Sequence, residues 1–85
     1  MTTTSTSTRP ARSPEEIRLR NELSWHLWLR RGALRSARRH SRSAAAGTAL
    51  HPGTAAELAG SYTRDAERDS KRIAQLRAEL ASLTH

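Results

Sequence analysis

The chain has no cysteine and no phenylalanine, and two Trp and one Tyr are its only aromatic residues. Without Cys it holds no disulfide framework, no thiolate metal site and no cysteine nucleophile, and a reducing, cytoplasmic setting is expected. Helix breakers are few, with three Pro and four Gly in 85 residues. No apolar run approaches the roughly 20 residues needed to cross a bilayer, so a transmembrane protein is excluded. Acid is scarce as well: 8 Asp and Glu stand against 15 Lys and Arg, a net charge of +7. Hydrophobic residues make up 35% of the chain, which at this length supports one domain at most, with a thin core.

What is present is strongly partitioned. Positions 2–8 are all Thr or Ser, and no large apolar side chain follows Met1 before Ile17. Such a segment buries too little surface to offset its ordering entropy, so residues 1–12 are expected to be a disordered tail. The tail does not have the charged start and apolar run of a signal peptide.

A helical unit is expected over 13–84. Ser13 is a good N-cap, Pro14 suits the first helical position, and Glu16 lies three residues after the cap, as in a capping box. From there to Ala46 there is no further Pro and one Gly, Gly32, so a helix over 14–46 is predicted, bent or frayed near Gly32. Gly47 and the His51-Pro52-Gly53 run predict a turn over 47–53. Thr54 and Glu57 have the spacing of a second capping box, predicting a second helix over 55–83.

That second helix carries a heptad seam. Ala55, Ala59, Tyr62, Ala66, Asp69, Ile73, Leu76, Leu80 and Leu83 alternate at four and three residues. In the first helix Leu19, Leu23, Leu27, Leu34 and Ala37 share a face interrupted by Arg30, while Ile17, Trp25 and Trp28 extend the apolar surface sideways. The expected fold is therefore all-α: an antiparallel, coiled-coil-like two-helix hairpin. Folding about residue 50 places Ile17 near Leu83, Leu23 or Leu27 near Leu76 and Ile73, Arg31 near Asp69 and Arg35 near Asp65. Two helices leave much apolar surface over, so completion by a homodimer or a partner protein is expected, with Trp25, Trp28, Leu76, Leu80 and Leu83 as interface residues.

All of the excess charge lies in the first half. Ten Arg and three Glu occupy 9–42, whereas five basic and five acidic residues follow Thr54. No acid occurs between Glu22 and Glu57, a stretch holding Arg30, Arg31, Arg35, Arg38, Arg39 and Arg42. Arg31, Arg35, Arg38 and Arg42 are spaced 4, 3 and 4, a stripe on one helix face with Arg39 beside it. Guanidinium forks suit phosphate oxygens, so nucleic acid is the leading candidate ligand of Arg31, Arg35, Arg38, Arg39 and Arg42. Asn and Gln are missing among these Arg, which favours backbone contact over base reading. The competing explanation is a solvated face, or one paired to Glu57, Asp65 and Asp69 across the hairpin.

His26, His40, His51 and His85 are read as forming no site, since no two have the i, i+4 spacing of a helical metal site. No phosphate-binding glycine loop or nucleophile–base arrangement is recognisable, and a two-helix unit has no concave scaffold for one. A non-enzymatic protein with no metal and no cofactor is expected. An adaptor or assembly subunit, binding another protein through Trp25, Trp28 and the Leu76–Leu83 surface, is the alternative.

Overall fold

In the computed structural model, which describes residues 12–83, the chain forms two helices and no strand among those residues. Helix α1 spans Pro14–Ala46 and helix α2 spans Pro52–Leu83. At 1.5 Å per residue each is about 50 Å long. The two pack against each other along their length as a hairpin. The Thr/Ser segment expected to be disordered lies, apart from Arg12, outside the described residues.

Local chemistry sets the ends of α1. Ser13 holds an extended conformation and its Oγ accepts the Glu16 N–H at 3.1 Å. Only half of the expected capping box is made. The Glu16 carboxylate turns to Arg20, whose Nε donates to it at 2.8 Å, and to Arg12 at 3.5 Å. A charge-assisted bond to a guanidinium is stronger than one to a neutral amide, and that preference decides the rotamer. At the other end Gly47 takes a left-handed conformation, φ 70° and ψ 17°. Its N–H points to the Ala44 carbonyl while the Thr48 N–H donates to the Ser43 carbonyl at 3.1 Å, the pattern of a Schellman cap.

Helix α2 starts earlier than the Thr54 cap implied. Pro52 is already helical and the Ala55 N–H reaches the His51 carbonyl at 3.0 Å. A proline at the first position lacks only an N–H that would be unpaired there anyway, and its φ is preset for helix. Pro52 therefore opens the helix instead of closing the turn, and Thr54 lies within the first turn and does not cap it. Gly32 neither breaks nor ends α1, which runs through it without interruption.

The core is narrow. Leu19, Leu76 and Leu80 form its apolar centre, with Leu23 packed against them. Ile73 is buried beyond it, and toward the turn the buried side chains are Ala37, Ala55 and Ala66. Large side chains thus fill the open end while alanines let the helices approach near the turn. Of the seam, Leu83 remains exposed, as do Ile17 and Leu27 on α1.

Leu76 is fully buried and Leu80 nearly so, within this one hairpin. Neither is available as the partner-facing residue that the sequence pattern suggested. Their heptad positions face α1, so satisfying the intramolecular seam consumes them.

Two substitutions test this packing by thermal melting. A Cβ on Gly32 would meet nothing within 4 Å, so Gly32→Ala is expected to stabilise by about 1 kcal/mol, raising Tm by about 4–8 °C. Leu76→Ala is expected to cost about 2–5 kcal/mol. A neutral Leu76→Ala would show that the seam is not the core.

Candidate nucleic-acid interface on helix α1

The middle of the hairpin carries a polar cluster between the helices. The Arg72 Nε donates to Glu22 Oε2 at 2.7 Å, and His26 Nδ1 lies 2.8 Å from Asp69 Oδ1. His26 Nε2 in turn stands 3.6 Å from Glu22, so both ring nitrogens face a carboxylate. Arg18 and Glu79 extend the cluster, at 3.9 Å from Glu22 and 3.7 Å from Arg72. Nearby, the Arg30 Nε donates to Ser70 Oγ at 2.7 Å. Hydrogen bonding from Arg72 is the main reason the Glu22 carboxyl sits below the ordinary glutamate value, opposed in part by desolvation and helped by the charges of Arg72, His26 and Arg18. The same bond raises Arg72.

This cluster corrects the pairing expected across the hairpin. Asp69 binds His26, not Arg31, and Asp65 is held by Arg68 of its own helix, not by Arg35. The cause is helical phase. His26 lies seven residues from buried Leu19, on the face turned to α2, whereas Arg31 stands five residues further on, about 140° around the helix. Of the histidines, His26 joins this interhelical cluster, a structural contact and not a metal site. A signal for it lies in the sequence, since Glu22 precedes His26 by four residues, the spacing at which helical side chains meet. Asp69, 43 positions away, is brought in only by the hairpin.

Asp65 and Asp69, so engaged, do not pair with the arginine stripe. Arg31, Arg35, Arg38, Arg39 and Arg42 are all exposed. Among the described residues none of the five makes an ion pair. Measured from buried Ala37, they occupy the sides of α1 about 100–160° away, turned from α2. Five pairs among them stand three or four residues apart, and like charges at that spacing cost a few tenths of a kcal/mol each, roughly 1–2 kcal/mol together. The helix end gives little relief, for the last turn itself holds no basic residue.

Trp25 and Trp28 flank this surface. They are 56% and 63% exposed and stack on each other, ring centroids 5.3 Å apart and planes inclined by 20°. Trp28 also walls an open groove of about 570 Å³ between the helices, bordered by Gly32, Ala33 and Ser36 of α1 and by Tyr62 and Arg68 of α2. Further toward the turn Tyr62 stacks on His40 at 5.7 Å. Among the described residues no group of three or more His, Asp or Glu is arranged to hold a metal ion, and no helix is long and apolar enough to cross a membrane.

No protein-family model, curated protein or solved structure matches the chain.

The depressed Glu22 carboxyl has a consequence for acid stability. Its folded form binds a proton less readily than its unfolded form, so its contribution is complete above the ordinary glutamate value, about 4.3. That contribution is lost as pH falls through the lower folded value. Melting followed by circular dichroism is expected to show a Tm that declines below about pH 4, and Glu22→Gln is expected to flatten that decline. An unchanged acid limb in the variant would remove Glu22 as its source.

Proposed function

We propose that this is a non-catalytic, basic helical protein whose α1 face binds the phosphate backbone of nucleic acid with little sequence preference. The observation that carries this is the set of five exposed guanidiniums, Arg31, Arg35, Arg38, Arg39 and Arg42, with no carboxylate on any of them among the described residues. Of the three carboxylates that intramolecular pairing would use, Asp65 and Asp69 are taken by other residues, and Glu57 makes no ion pair with the stripe among the described residues. Phosphates supply the missing anions at a density that exposed side chains of a protein partner seldom reach. From Arg31 to Arg42 the helix rises about 16 Å, roughly the axial length of five nucleotides at 3.4 Å each.

An adaptor that binds a protein through Trp25, Trp28 and the Leu76–Leu83 surface has less to work with. Leu76 and Leu80 lie in the hairpin core, which leaves the two Trp and Leu83 at the surface. A homodimer would cover apolar surface that the narrow core leaves at Ile17, Leu27 and Leu83.

Titration of labelled duplex at several salt concentrations tests the assignment. With about four phosphates contacted, affinity is expected to fall with a log–log slope near −3.5, about a hundredfold between 50 and 200 mM salt. The triple variant Arg35→Gln, Arg38→Gln, Arg42→Gln is expected to reduce that slope by about 2–3. Absence of binding to duplex and to single strands at low salt would falsify the assignment.

A further inference from the structure

We propose that the stacked Trp25–Trp28 pair is a base-stacking platform, so that α1 takes single-stranded nucleic acid in preference to duplex, with bases against the indoles and phosphates along the arginine stripe. This rests on the backbone-binding function proposed above and names the strand form that the same face accepts.

Three observations converge on it. Both indoles are more than half exposed although the hairpin has a hydrophobic core they might have joined. Their near-parallel stack joins them into one aromatic block on the surface of α1. Trp28 then stands in line with the cations: Arg35 is seven residues on and Arg39 eleven, each within about 20° of the same line along the helix. An aromatic block at the end of a row of guanidiniums offers a single strand both contacts it can make, because its bases are unpaired and every base has a π-face to stack. A duplex keeps its bases stacked on one another and can use only the cations.

There is also room for a ring beside Trp28. Gly32, one turn further along, presents no side chain, and a Cβ there would meet nothing within 4 Å. The groove lined by Trp28 and Gly32 has a volume of about 570 Å³, and since Asp65 and Asp69 also line it, it suits a base and leaves phosphates to the arginine stripe.

A second copy of the chain is the obvious competing occupant of an exposed Trp pair. Charge argues against it. A copy laid parallel on this face brings its own five arginines against the first five, and no acidic residue occurs from 23 to 56 to receive them. A polyanion is attracted by the surface that repels the copy.

The test uses the full chain with two probes at 50 mM salt, an oligo-dT strand and a mixed-sequence duplex of equal length. Anisotropy of the labelled probe reports binding and Trp emission reports stacking. Oligo-dT is expected to bind more tightly than duplex and to quench the Trp emission. Trp28→Ala is expected to weaken oligo-dT binding about tenfold while leaving duplex binding within about twofold, and Trp28→Phe to restore most of the loss. Both variants are checked for unchanged helicity by circular dichroism.

Unquenched emission, equal affinity for the two probes, or equal losses on both in Trp28→Ala overturns the platform while leaving backbone binding standing. No binding to either probe overturns backbone binding itself, and the platform with it. Sedimentation supplies the last arm. If Trp28→Ala converts a dimer to a monomer without changing oligo-dT affinity, the second copy is the occupant and the platform is overturned.

Discussion

Glu22 and Asp69 stand at the centre of this protein. Each is a carboxylate held between the two helices, Glu22 by Arg72 and Asp69 by His26, and the two pairs meet where His26 faces Glu22. Apolar contacts alone hold helices together without strongly choosing how they slide, since one leucine fits much like the next. A buried or half-buried polar pair is more selective, because a shift leaves its members desolvated and unpartnered. The cluster therefore fixes the register in which Leu19 meets Leu76 and Leu80.

The same constraint shapes the outer surface. The chain has few carboxylates, and Glu22 and Asp69 are engaged between the helices, with Asp65 on Arg68, so none of these three serves the arginine stripe. Charge neutral pairing inside and charge excess outside are thus two sides of one distribution. α1 turns Leu19, Leu23 and Ala37 inward and five guanidiniums outward, and the energy that keeps the inner face ordered comes from α2. A helix with so many adjacent like charges gains little from its own surface. Its rigidity is borrowed from the partner helix, which is what allows the cations to stand at fixed spacing.

Much of the architecture was legible in local chemistry. The Ser13-Pro14 start and the Gly47 end of α1 follow from what single residues do to neighbouring backbone, with no reference to the rest of the chain. The heptad along α2 showed which residues would face α1, and Ile73, Leu76 and Leu80 are buried accordingly. Its purpose was less legible. A seam reads the same whether its partner is the other half of a hairpin or a separate molecule, so Leu76 and Leu80 looked available for an interface that the hairpin had already claimed. Pro52 is ambiguous in sequence for a similar reason: proline both follows and opens helices, and only the backbone on each side tells which.

Ion pairing across the hairpin was the part that sequence could not supply. The composition established a surplus of arginine in the first half and where along α1 it lies, because charge and helical period are properties of the chain itself. Which carboxylate meets which cation was decided by the tertiary structure. A helix rotates by about 100° per residue, so an error of one or two positions in register turns one side chain away and another in. That angular sensitivity gave Asp69 to His26 and left Arg31 and Arg35 facing outward.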